Sequence, residues 1–129
     1  MIQNLAAIAL IALLSILTVL SVFQIALAAG APLGRFAWGG THRVLPRKLR
    51  IGSAVSVAVY AVVAVVALDR VGWINIVADP ISRVGMWILF GYFVLSIVPN
   101  LLSRSPRERA VMVPVSVLLA LLSLPVALS

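Results

Sequence analysis

Four stretches of the chain run without a charged side chain: Met1–Gly34, Ile51–Leu68, Val84–Ser103 and Ala110–Ser129, of 34, 18, 20 and 20 residues. A helix needs about 20 apolar residues to cross a hydrocarbon core of roughly 30 Å, so each stretch predicts a membrane-spanning helix. The valine-rich run from Ala54 to Leu68 invites a strand reading. Lipid, however, admits only helices and closed barrels, and barrel strands alternate apolar-out with polar-in over about ten residues, a pattern that these uniform runs lack. The expected fold is all-α: an integral membrane four-helix bundle with antiparallel neighbours and short loops. It forms a single transmembrane domain over 1–129, with helices at 3–29, 46–69, 80–102 and 106–127.

Local signals punctuate these helices. Gly30 with Pro32 just beyond it reads as a glycine past a helix C-terminus followed by proline. Pro46 suits a first helical position, where its missing N–H costs nothing. Asp79-Pro80 reads as N-cap and first residue of the third helix, and Ser105-Pro106-Arg107-Glu108 as a capping box, in which serine and glutamate cap each other's amides. Ala26-Leu27-Ala28 has the form of a signal-peptide cleavage site, but no Lys or Arg precedes the apolar stretch, which exceeds the usual length of roughly 7–15 residues. An uncleaved first helix is expected.

Composition agrees with lipid as the solvent. Hydrophobic residues make up 64% and charged residues 10% of the chain, against about 45–50% and 25% in soluble domains, and the mean hydropathy is +1.22. The chain has no cysteine, which removes disulfides, thiolate nucleophiles and cysteine metal sites. A formal net charge of +7 would suit nucleic acid in a soluble protein. Here the basic residues cluster between apolar spans, the pattern of loops facing anionic headgroups, so membrane lipids and not nucleic acid are the expected partners.

The placement of charge sets an expected orientation. Loop 1 holds Arg35, Arg43, Arg47, Lys48 and Arg50, and loop 3 holds Arg104, Arg107 and Arg109. Loop 2 has only Arg70 and Arg83, balanced by Asp69 and Asp79. Cytoplasmic loops carry the excess of Lys and Arg, so loops 1 and 3 are expected in the cytoplasm and both termini outside. Phe36 and Trp38 then fall at the inner interface and Trp73 near the outer one, where aromatic rings anchor.

Candidate chemistry is sparse. No ionisable residue lies deep in a span, which argues against proton relays and ion pathways. His42 has no second ligand at metal spacing, and neither a metal nor any other cofactor is expected. The eight cations of loops 1 and 3 are candidates for anion or lipid-headgroup contact. Gly30, Gly34, Gly39 and Gly40 could let backbone amides approach such an anion. No nucleotide-binding glycine motif is present. Gln24, Ser53, Ser56, Asn100 and Ser103 lie toward the basic end of the spans and could line a polar cavity, loosened by Pro99 and Pro114. The preferred reading makes them interhelical glue, each bond contributing about 0.6–2 kcal/mol. Tyr60 and Tyr92 need phenol partners, either each other or Ser56 and Ser96. Small residues four apart, Ala26/Gly30/Gly34, Gly52/Ser56 and Ser116/Ala120, allow close helix approach, within the chain, in a homo-oligomer or against another membrane protein.

The segments "GAPLGRFAWGG", "VLPRKLRIGS" and "NLLSRSPRERAVMVPVS" resemble, in that order, a family of small bacterial membrane proteins with four spans. The likeness runs from about Gln24 to Ser123. It implies the four-span fold and residence in the bacterial inner membrane, and it carries no catalytic residues. The expected function is a non-enzymatic module whose basic face contacts anionic lipid or an acidic partner. The alternative is a small carrier or channel subunit. An enzyme ranks third, with His42 and Glu108 as its best residues.

Overall fold

The computed structural model describes all residues 1–129. It is all-helical: α1 spans Ile2–Ala28, α2 Arg47–Val71, α3 Asp79–Leu101 and α4 Pro106–Leu128, with two short 3-10 turns in loop 1 at Gly34–Phe36 and Trp38–Gly40. All four long helices are apolar and long enough to cross a membrane, which makes this a multi-pass membrane protein. They form a ring in which α1 packs on α2 and α4, and α3 on α2 and α4.

Each helix buries one seam. On α1 the buried positions include Ala6, Leu10, Leu13, Leu17, Leu20, Gln24 and Leu27, spaced alternately by four and three residues. That 3.5-residue period suits the shallow left-handed crossing common among membrane helices. Leu10, Leu13, Leu17, Val63, Met86 and Phe93 belong to the shared core. Outward positions such as Ile8, Val22, Ile88 and Leu95 are exposed, as lipid-facing side chains must be.

The helix ends follow from backbone accounting. At Gly30, φ is +96°, and the amides of Gly30 and Ala31 return to Leu27 O and Ala26 O, the paired closure that a left-handed glycine permits. Gly72 closes α2 in the same way, with its amide on Asp69 O and that of Trp73 on Leu68 O.

Two expected starts are displaced by one residue. Pro46 caps α2 from outside, with extended backbone. Ala78, not Asp79, is the cap of α3; Asp79 instead pairs with Arg70 at 3.0 Å and Arg83 at 3.3 Å. Loop 2 is bound internally, because the Asp69 carboxylate accepts from the amides of Ile76 and Val77 at 2.9 and 2.8 Å.

Loop 1 does not merely join α1 to α2. Its two 3-10 turns pack on the start of α4, so loops 1 and 3 form one cap over what is here called the basic end of the bundle.

Candidate functional site

The cap is held by bonds between segments about seventy positions apart. Ser105 is the N-cap of α4, accepting from Glu108 N at 3.3 Å, and its hydroxyl donates to Arg35 O at 2.6 Å. The expected capping box is only half formed. The amide of Ser105 donates to Ser103 Oγ, while the buried Glu108 carboxylate accepts from Gly39 N at 3.4 Å. Glu108 therefore ties α4 to loop 1 and does not cap its own helix.

Glycines make this close approach feasible. A Cβ on Gly40 would sit 2.4 Å from Ser105 Cβ, and one on Gly34 would meet His42 O at 2.0 Å. Gly34 N instead donates to Arg43 O at 2.8 Å, folding the loop back on itself. Gly39 and Gly40 have φ of +80° and +72°, the left-handed region that glycine enters without a Cβ penalty.

Trp38 also has positive φ, at +53°. Its indole N–H donates to Ser53 Oγ at 3.1 Å, and its ring covers Gly52, where a Cβ would lie 2.8 Å from the ring. Gly52 of the small pair Gly52/Ser56 thus seats an indole. Trp38 is locked to α2 as well as lying at the bundle end.

The eight expected headgroup cations divide into two sets. Arg50 and Arg109 are engaged: Arg50 Nε donates to Ala28 O at 2.8 Å, and Arg109 Nη1 donates to Ser103 O at 2.5 Å. A cation in the first turns of α2 opposes that helix's dipole, and Arg50 turns instead to the carbonyl end of α1, where positive charge is favourable. Arg43, Arg47 and Lys48 remain exposed.

Arg35, Arg104 and Arg107 come together. They line an open cleft of about 410 Å³ with Gly39, Gly40, Thr41, Ser105 and Pro106. All three are exposed, and the chain's only ion pairs lie at the other end, on Asp79. Three guanidiniums with their donors free, beside the first turn of α4, form a surface able to hold a phosphate-like anion. His42 stands apart, with Nδ1 3.0 Å from Thr41 Oγ1, and no group of metal-ligating side chains exists in the chain.

The three serines among the expected cavity residues bond within the chain. Ser53 serves Trp38, Ser56 donates to its own Gly52 O, and Ser103 accepts from Ser105 N. Gln24 is buried on the α1 seam, and its Oε1 has no partner in the chain. Asn100 lines the cavity inside the bundle. That cavity holds about 240 Å³ among all four helices, with Tyr60, Tyr92, Ser96 and Ser116 as its other polar walls.

The two serine hydroxyls there bond within their own helices. Ser96 and Ser116 bond carbonyls of their own helices, Phe93 O and Val113 O, and the Tyr60 phenol lies beside Gln24. This leaves Tyr92 and Asn100 as lining residues whose polar side chains bond to nothing else in the chain. The signal for this group is positional: Ser53, Ser56, Tyr60, Ser96 and Asn100 fall at alternating three- and four-residue spacings on their helices, in step with the buried Val63, Ala67, Met86 and Phe93.

Fold and cap together define a four-span helical membrane protein with one strongly basic end. Compared with family models, with curated proteins and with solved structures, the chain gives no significant match.

Proposed function

We propose that this protein is a non-enzymatic inner-membrane module of bacterial type whose basic end faces the cytoplasm and binds the headgroups of anionic phospholipids. The observation that carries the reading is the cleft in which Arg35, Arg104 and Arg107 meet without an acidic partner. Guanidinium pairs with phosphate oxygens through two parallel hydrogen bonds, and the cleft lies at the end of helices whose sides are apolar, where headgroups reside. Loop charge supports the orientation, with eight Lys and Arg in loops 1 and 3 against two in loop 2.

The test is native mass spectrometry of protein extracted from bilayers containing equal phosphatidylglycerol and phosphatidylcholine. The intact chain should retain phosphatidylglycerol preferentially, and the variant Arg35→Gln/Arg104→Gln/Arg107→Gln should lose that preference. Unchanged preference overturns the reading. Orientation is tested separately on this cysteine-free chain. With an impermeant maleimide on intact cells, Ile76→Cys should label and Thr41→Cys should not; the reverse result places the basic end outside.

A second reading, a small carrier, has in its favour the 240 Å³ cavity bearing Tyr92 and Asn100. It requires solute flux in proteoliposomes that Asn100→Ala abolishes while the fold is kept. Flux insensitive to that change would discard it.

A further inference from the structure

The 3-10 turn Gly34–Phe36 separates two environments. On one side Arg35 joins Arg104 and Arg107 in the basic cleft. On the other, Leu33 and Phe36 close the end of a groove between α1 and α4 that is lined only by apolar side chains, Val19, Leu20, Phe23, Val111, Met112 and Val115, and holds about 300 Å³. The two share a helix stripe. Arg107, Val111 and Val115 recur every four residues on α4, so cleft and groove follow one another along one face. From Arg107 to Val115 the rise is about 12 Å, close to half of a roughly 30 Å hydrocarbon core.

The dividing turn is fixed in place. Arg35 O accepts from Ser105 Oγ at 2.6 Å, Gly34 N donates to Arg43 O at 2.8 Å, and the crowding around Gly34 leaves no room for a Cβ. Such a shelf keeps the groove from collapsing under Leu33 and Phe36. Its outer residues are open to the hydrocarbon, with Val19 68% and Val111 44% exposed. The free positive charge at its mouth selects which lipid lies there.

We propose that cleft and groove together form a site for one anionic phospholipid, its phosphate among Arg35, Arg104 and Arg107 and one acyl chain laid along α1 and α4 beneath Phe36. This rests on the headgroup reading above and adds to it a defined stoichiometry and a chain-binding slot.

The experiment is native mass spectrometry with phosphatidylglycerol as probe and glycerol 3-phosphate as the chain-free control. The intact protein should hold one phosphatidylglycerol per chain through activation that strips other lipids, and should hold glycerol 3-phosphate far more weakly. Val111→Trp fills the groove from an exposed position and should reduce retention on the order of tenfold, while Ile88→Trp, on a lipid-facing position of α3, should not. Leu33→Trp serves as a second filler should Val111→Trp misfold.

If both fillers leave retention unchanged while arginine replacement abolishes it, the slot is refuted and headgroup binding stands. If arginine replacement has no effect, both fall. Equal retention of glycerol 3-phosphate and lipid, or a broad distribution of lipids with no discrete single adduct, also overturns the slot.

Discussion

The backbone amide of Gly39 donates to Oε2 of Glu108 across 69 positions of chain, at 3.4 Å. The carboxylate is buried beneath the cap, and the bond links loop 1 to the first turn of α4. Glu108→Ala should therefore lower stability by about 1–3 kcal/mol, because it leaves the Gly39 amide without its partner. Glu108→Gln keeps an acceptor oxygen and should lose less. Thermal unfolding in detergent, followed by circular dichroism, checks the order; equal losses would show that charge and not the hydrogen bond is what matters.

The end of α1 depends on Gly30 and Arg50 together. Gly30→Ala imposes a side chain at φ +96° and should cost about 1–2 kcal/mol, with the new Cβ about 3.5 Å from the Arg50 guanidinium. Arg50→Ala removes the donor to Ala28 O and should cost about as much. The double variant should cost less than the sum, since the two changes disturb one closure. Strict additivity would mean that the two act separately.

Trp38 reports on the docking of loop 1. In a background of Trp73→Phe and Trp87→Phe it is the only emitter of the three tryptophans. Gly52→Ala places a methyl 2.8 Å from its ring and should drive the ring out, moving emission to longer wavelength. Ser53→Ala removes only the indole hydrogen bond and should shift emission less. An unmoved spectrum in Gly52→Ala would place the indole elsewhere.

Gln24 occupies a seam position with an amide oxygen that finds no donor in the chain. Replacing it together with its neighbour Tyr60 by apolar groups of similar shape removes buried polar atoms without orphaning either, so Gln24→Met/Tyr60→Phe should raise the thermal midpoint, by about 1 kcal/mol of stability. A fall instead would mean that water from the adjoining cavity satisfies the amide.

How much of this structure is legible in the sequence depends on what encodes it. The four spans are written in run length alone, and the glycine closure after α1 in Gly30-Ala31-Pro32. The ring of inward seams is not, because lipid is as apolar as the core and hydropathy cannot separate Leu10, which is buried, from Ile8, which is exposed. On α2 and α3 the serines, in register at 3.5-residue spacing, mark the inner face, whereas Ser15 and Thr18 of α1 are exposed and bond only to their own helix. The basic clustering was plain, yet the division of labour within it was not. Arg50 and Arg109 are drawn to main-chain carbonyls, Ala28 O and Ser103 O, and no side-chain motif records such acceptors. Glu108 misled for the opposite reason: a local capping motif accounts for it fully in sequence, while the folded chain gives its carboxylate to a distant amide.

The union of loop 1 with α4 also sets a sequence of events during synthesis. When only α1 and α2 have left the ribosome, the Gly39 amide and the Arg35 carbonyl have no protein partner and must be served by water at the bilayer surface. The residues that relieve them, Ser105 and Glu108, emerge some seventy positions later. Insertion of the first hairpin and consolidation of the finished bundle are thus distinct stages, and the fourth helix acts as the fastener.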